Sequence, residues 1–290
     1  MATAGPDRGP QNVLLATDLT PACDRAFDRA VQLASHWGSQ LVVCHVIEAS
    51  SLRPWGIEQR VRNAELEIER LVKGAAIALG PKRHIVIGDP AERTIEHAET
   101  IGSDFIVTGP AHGKIVGDKL LGSTAARIVR HAKKPVLAVR RRVQGPYTTV
   151  AVAVDFSEPS QQAFRCAQSL FAKSQFTLVH AYAVTPDCRG RNADRSLDEV
   201  EAEERSRVLR MAEQDMADLI GNGRRETSIE TLLEQGTPDA IMTAYVDKHW
   251  PDLVVAGTRG HGGVRRPVIG SVTEGLLKSL HCDVLAVPAN

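Results

Sequence analysis

Gly257, Gly260, Gly270 and Ser271 stand in the pattern G-x2-G-x9-G-S in the last quarter of a 290-residue chain. Residues of these types at this spacing suit an anion that carries several oxygens. Glycines let backbone amides approach such oxygens closely and adopt positive φ. Gly270-Ser271 opens a segment with helical periodicity. Its unpaired N–H groups and dipole would therefore face the anion. Ser271 adds a hydroxyl, and Arg259, Arg265 and Arg266 are nearby cations able to meet polyphosphate charge. Thr258 lies inside the loop and Val272 in the first turn of the expected helix. Further upstream, Asp155 follows an apolar run and can accept hydrogen bonds from sugar hydroxyls or a base amine. A glycine pair alone would read as a flexible turn. Here the loop follows one expected strand and precedes a helix, in a chain that also holds the aspartate, so motif and context agree.

The elements that must position these residues occur twice. NVLLATDLT from Asn12 matches TVAVAVDFS from Thr149, LVVCHVI from Leu41 matches FTLVHAY from Phe176, and DFIVTG from Asp104 matches DLVVAG from Asp252. LGSTAARIVRHAKKPVLAV from Leu121 matches IGSVTEGLLKSLHCDVLAV from Ile269, and Gly88 answers Gly236. Asp18 and Asp155 are 137 positions apart, and the later blocks 148. The difference of 11 reads as one net insertion in the second copy between its second and third strands. Self-similarity of this kind divides the chain into residues 1–143 and 147–290, joined around Gln144-Gly145-Pro146.

Each copy alternates strand and helix. Val13–Thr17 is a continuous apolar run, as for a strand buried on both faces. Thr20 offers an N-cap with Pro21 at the first helical position. Leu41–Ile47, Ile85–Ile87, Phe105–Thr108 and Val136–Val139 complete five strands. Copy two repeats them at Val150–Val154, Thr177–Val184, Ile229–Leu233, Leu253–Ala256 and Val284–Val287. A helical stripe from Ile57 to Leu79 and an acidic helix over about Leu197–Ile220 follow the second strands. The fold class is α/β: two tandem repeats of an open parallel sheet with helices on both faces. Ligands bind such sheets at the carboxyl ends of the strands, near the switch in strand order. Asp18 and Asp155, His45-Val46 and His180-Ala181, and the two glycine loops all fall there.

Copy one departs from the pattern. Its loop reads Gly109-Pro110-Ala111-His112, then nine residues, then Gly122-Ser123. His112 replaces the second glycine, where a side chain obstructs a phosphate or positive φ, and Pro110 lacks an amide donor. Asp18, Val46, Gly109, Gly122 and Ser123 remain, so a weakened or lost site is expected there. His112 could instead donate to a phosphate.

Composition excludes other classes. Thirty-five basic and 35 acidic residues cancel, which argues against a nucleic-acid binder relying on phosphate neutralisation. Arg140-Arg141-Arg142 reads as a solvated edge of the linker. The five cysteines form no CxxC and suggest neither zinc nor a disulfide framework, only reduced thiols in a cytoplasmic protein. There is no leader-like apolar run at the start and no stretch of membrane-span length. Gly113-Lys114-Ile115 fails the Walker A pattern, no G-x-G-x-x-G follows the first strand, and no HExxH occurs. Cys44-His45 lies on a buried strand without an orienting third group, so it reads as packing rather than a dyad.

On these residues the chain resembles a tandem universal stress protein over nearly all of both halves. The resemblance implies a sheet order of 3-2-1-4-5 in each copy, pairing through the fifth strands, and ATP or a related adenine nucleotide as ligand, with or without Mg2+. It implies that Asp155 contacts the adenosine, that the Ala181 backbone contacts adenine, and that Gly257, Gly260, Gly270 and Ser271 hold the phosphates. The family usually carries valine where Ala181 stands. With Thr258, Arg259 and Val272 these make the expected contact set. No residue reads as a general base at a γ-phosphate, so the expected function is a nucleotide-responsive stress or regulatory module that acts by binding an adenine nucleotide and a protein partner. Slow hydrolysis or autophosphorylation stays open within the family. The alternative is a scaffold: an intramolecular pseudo-dimer, with further homodimerisation open, whose nucleotide site is vestigial. Neither nucleic acid nor membrane is expected as a partner.

Overall fold

A computed structural model describes residues 9–48, 54–75, 79–109, 123–184, 197–221, 229–259 and 270–289. Copy one contributes strands β1 (Asn12–Thr17), β2 (Gln40–Ile47), β3 (Lys82–Ile87), β4 (Phe105–Thr108) and β5 (Val136–Ala138). Its helices are α1 (Asp24–Trp37), α2 (Pro54–Ala75), α3 (Pro90–Thr100) and α4 (Ser123–His131). Copy two contributes β6 (Thr149–Ala153), β7 (Gln175–Tyr182), β8 (Ile229–Gln235), β9 (Leu253–Gly257) and β10 (Asp283–Val287). Its helices are α5 (Glu158–Leu170), α6 (Leu197–Gly221), α7 (Pro238–His249) and α8 (Ser271–Ser279). Among the described residues, no helix is long and apolar enough to cross a membrane.

The ten strands form one sheet in the order β3-β2-β1-β4-β5-β10-β9-β6-β7-β8. Each half is parallel in the order 3-2-1-4-5, because each strand–helix–strand crossover returns the chain in the same direction. The continuous apolar runs are explained by burial on both faces. Val13, Leu15, Val107, Val150, Val152 and Val255 belong to one core, and Leu14, Ile106, Ala151, Val254 and Ala286 to the other.

The halves join through β5 and β10, which are antiparallel, with Leu137 opposite Leu285, Val136 opposite Ala286 and Ala138 opposite Val284. Leu137 and Leu285 are equivalent positions of the repeat, so a local two-fold axis passes between them. Neither strand is left as an open edge.

The net gain of 11 residues in copy two is made of two changes. Asn12 answers Thr149, 137 positions on, but the second strands start at Gln40 and Gln175, only 135 apart, and the third end at Ile87 and Gln235, 148 apart. Copy two has therefore lost two residues around its first helix and gained 13 before its third strand. Strand β3 also begins three residues earlier than its apolar run. Lys82 and Arg83 are exposed charges on an edge strand, where apolar patterning is weakest. Thr20 does not cap α1. Pro21–Cys23 is a short 3-10 turn, and the Thr20 hydroxyl is spent on Asp18.

The basic run is a solvated edge at Arg142, which is exposed, but not at Arg140. Arg140 is 7% exposed, and its guanidinium donates to the carbonyls of Cys282, at 3.3 Å, and Leu277 in the other copy. Its amide and that of Arg141 donate to Asp283 Oδ1 at 2.7 and 2.9 Å. Asp283 has no exposure and also accepts the Tyr147 hydroxyl, while Arg29 Nε lies 3.6 Å from Oδ2. The linker is thus anchored by buried charge. Cys23, Cys44, Cys166 and Cys282 are free thiols.

Candidate functional site

The first component is a turn at the tip of each central strand. In copy two, Asp155 follows β6 by two residues and is half-buried. Its Oδ1 accepts the Ser157 amide at 3.1 Å and the Ser157 hydroxyl at 2.5 Å. This is the local closure that short polar side chains make in turns. Phe156 between them adopts φ +62°. In copy one, Asp18 Oδ1 accepts the Thr20 amide at 3.0 Å and hydroxyl at 2.7 Å, and Leu19 has φ +59°. A strained residue at one place in both copies marks a backbone shape imposed by its surroundings.

The second component is the exit of strand two. His180 Nδ1 lies 2.8 Å from Val154 O, and His45 Nδ1 2.9 Å from Thr17 O. A carbonyl only accepts, so each ring carries its proton on Nδ1. Burial pulls His45 below its ordinary value, against the opposing pull of the Thr17 carbonyl and of Asp18, which keeps the ring neutral near pH 7. Ala181 and Val46 follow these histidines, both half-buried.

The third component is the pair of loop ends after β9. Gly257 lies against the start of α5: a methyl built on it would stand 3.0 Å from Pro159 O. Gly270 donates its amide to Thr258 O at 2.8 Å, and the Thr273 hydroxyl donates to Gly257 O at 2.5 Å. These two bonds draw Gly257 and Thr258 together with the first turn of α8. Gly270 caps that helix without any side-chain acceptor, so the first-turn amides of Ser271 and Val272 receive no side-chain cap. Ser271 and Arg259 are exposed. Asp155, Ala181, Gly257, Thr258, Gly270, Ser271 and Val272 therefore converge on the carboxyl ends of β6, β7 and β9. Gly260, Arg265 and Arg266 lie outside the described residues.

Copy one presents Asp18, Val46, Gly109 and Ser123 on equivalent elements, with His112 and Gly122 outside the described residues. One difference was not read from the sequence. Where copy two has Ser160, copy one has Cys23. Ser160 Oγ accepts the Asp155 amide at 3.3 Å. Cys23 is buried beside Asp18 and Gly109, and a methyl built on Gly109 would stand 2.6 Å from its sulfur. Burial first, with the Asp18 carboxylate adding, pushes this thiol up to about 12, so it stays protonated and inert. The signal for Cys23, as for the identical histidines His45 and His180, was the alignment of the two copies. No such signal existed for Thr273, whose role depends on a contact 16 residues away.

Among the described residues, no three His, Cys, Asp or Glu side chains cluster as a metal site. The site offers backbone N–H and hydroxyl donors with one carboxylate acceptor, a set that suits a phosphorylated ligand better than a bare cation.

Comparison with known proteins follows the same two-fold division. A model of the universal stress protein family matches residues 10–140 and again residues 146–288. Universal stress protein A homolog 1 of Coxiella burnetii is 34% identical over 142 residues, covering 44% of this chain and 95% of that protein. A universal stress protein from Archaeoglobus fulgidus has a solved structure that superposes with a TM-score of 0.69 at 21% identity, covering 97% of this chain and 99% of that one. A putative universal stress protein from Pseudomonas aeruginosa gives 0.62 at 18% identity, covering 96% and 93%. At these identities the two solved structures speak to the fold alone.

Proposed function

The chain belongs to the universal stress protein family, and from that premise we propose that it is a nucleotide-responsive binding module whose working site, in copy two, takes ATP. The observation that carries this reading is the 2.8 Å bond from the Gly270 amide to Thr258 O. It gathers the ends of the glycine loop at an uncapped helix start beside the Asp155 turn. The amides of Ser271 and Val272, with the Ser271 hydroxyl and Arg259, would hold the polyphosphate. Asp155 would accept from the ribose, and the Ala181 backbone would meet the base. Mg2+ would enter with the nucleotide, held mainly by its phosphates. Copy one, with Pro110, His112 and Cys23, would bind weakly or not at all. Occupancy would shift affinity for a protein partner by linkage, without rapid turnover.

The test is nucleotide content. The protein is purified without added ligand and denatured, and released small molecules are identified by chromatography, beside Asp155→Ala and Gly260→Glu. About one ATP per chain, lost in both variants, is expected from a single working site. A second reading, a scaffold with a vestigial site, is favoured by the self-complementary β5–β10 register and the buried charge at Asp283. It takes over if no nucleotide is released and titrated ATP does not bind.

A further inference from the structure

The two copies separate their first and second strands at different rungs. The β1–β2 ladder runs to Thr17 opposite His45, while the β6–β7 ladder stops one pair earlier, at Ala153 opposite Val179. In a parallel ladder each residue turns its N–H and C=O to one side, and successive residues alternate. Val154 N–H donates to Val179 O at 3.0 Å, so Val179 faces β6. Gly236 N–H donates to Tyr182 O at 3.0 Å, so Tyr182, and with it His180, faces β8. Ala181 between them faces β6 and the Asp155 turn.

The next rung would join the Ala181 amide to Val154 O. It is there that the ladder stops, and a ring N–H meets that carbonyl instead, at 2.8 Å from His180 Nδ1. Val154 is buried, 5% exposed, so an orphaned carbonyl would be costly. The His180 ring also packs against Phe156, with centroids 4.3 Å apart, next to Asp155. In copy one the extra rung assigns the Val46 amide to Thr17 O, which accepts His45 Nδ1 as well. The histidine bond is common to both copies; the released amide is found only in copy two.

We propose that His180 is a positioning residue for base recognition: it satisfies Val154 O, which lets the Ala181 N–H stay off the ladder and turn, with its C=O, to the edge of a purine. This rests on the nucleotide reading above. The chemistry selects among purines. Adenine presents a ring acceptor beside an amino donor, the complement of one backbone N–H and one C=O. A 6-oxopurine presents a ring donor beside an oxygen acceptor and mismatches both. Without the ring donor, only the Ala181 amide is left to satisfy the buried Val154 O, so the ladder closes by one rung and the edge is lost.

The experiment measures binding of ATP, inosine triphosphate and inorganic tripolyphosphate to the full-length wild type, His180→Phe and His180→Asn, with folding checked by circular dichroism. The wild type is expected to prefer ATP about tenfold or more, the scale of one or two hydrogen bonds. His180→Phe keeps the aromatic packing but loses the donor. It should bring the ATP-to-inosine preference to near one and leave tripolyphosphate binding unchanged. His180→Asn keeps an N–H donor and should retain most of the preference. A full preference in His180→Phe, or equal losses in both variants, would overturn the proposal. A wild type that binds both nucleotides equally would overturn it while leaving the nucleotide reading intact. A wild type that binds neither would overturn the nucleotide reading itself.

Discussion

Tyr147 donates its hydroxyl to Asp283 Oδ2 across 2.6 Å, tying the linker between the copies to the last strand of the sheet. The Arg29 guanidinium lies over the same tyrosine ring, 4.0 Å from its centroid. Asp283 thus carries the charge balance of the junction. Asp283→Asn keeps the volume but leaves Arg29 and Arg140 without a buried counter-charge. It is expected to lower unfolding free energy by about 3 kcal/mol, the scale for breaking a buried pair, as a shift of the urea midpoint.

Burial, reinforced by the charge of Asp283, holds the Tyr147 hydroxyl protonated well above the ordinary tyrosine range. The unfolded chain releases that proton near pH ~10, whereas the folded chain retains it. The contribution to stability is therefore complete below pH ~10 and is lost as pH rises beyond it. Urea midpoints between pH 9 and 11 should fall in the wild type, and should fall less steeply in Tyr147→Phe.

His97 gives the opposite slope. Burial, then the neighbouring His84 ring at 4.4 Å, pulls His97 below its ordinary value, and its Nε2 is buried without a hydrogen-bond partner. The unfolded histidine takes up a proton near 6.5, before the folded one does. Stability is full above that pH and is lost as pH falls through the folded value. Midpoints measured at pH 7 and pH 5 should differ less in His97→Phe than in the wild type.

The helix pair α7–α8 holds a carboxylate that its counterpart in copy one replaces with a matched pair. There, Arg127 Nη1 meets Asp89 Oδ2 at 2.7 Å, and Asp89 also caps α3. In copy two the arginine position is Gly275, and the Asp239 carboxylate lies against it with Oδ1 buried and unpaired. Burial raises the Asp239 carboxyl above its ordinary range. The folded state then holds its proton more tightly than the unfolded state, so stability declines as pH rises past the unfolded carboxylate value. Asp239→Asn should raise the thermal midpoint at pH 7 and have little effect at pH 3.

Gly257→Ala tests the close approach at the loop. The new methyl meets a backbone oxygen 3.0 Å away, which cannot rotate aside. A loss of about 1–2 kcal/mol in stability is expected, as for other overpacked sites. Under the nucleotide reading, ATP affinity measured by calorimetry should fall as well, because the Gly257 carbonyl that anchors Thr273 would shift.

Much of this molecule was legible in its residues. Strands such as Val13–Thr17 and Phe105–Thr108 announce themselves because both their faces are buried. The repeat alone aligns the turns at Asp18 and Asp155. What escaped were features created by long-range contact. Arg140 reads as a solvated charge because its partners, Cys282, Leu277 and Asp283, are some 140 residues away. Lys82 and Arg83 hid the start of β3, since an edge strand obeys no strict apolar alternation. The loop residues Gly260 and His112 lie outside the described residues.

The antiparallel register at Leu137 and Leu285 has an evolutionary corollary. An assembly of identical subunits must accept every substitution twice, once on each side of its axis. Here both sides are encoded in one polypeptide, so each can drift alone. Cys23 opposite Ser160, and Arg127 opposite Gly275, are the record of that freedom. Under the nucleotide reading, one half could be relieved of ligand duty while it continues to brace the other, with no exchange of subunits to part them.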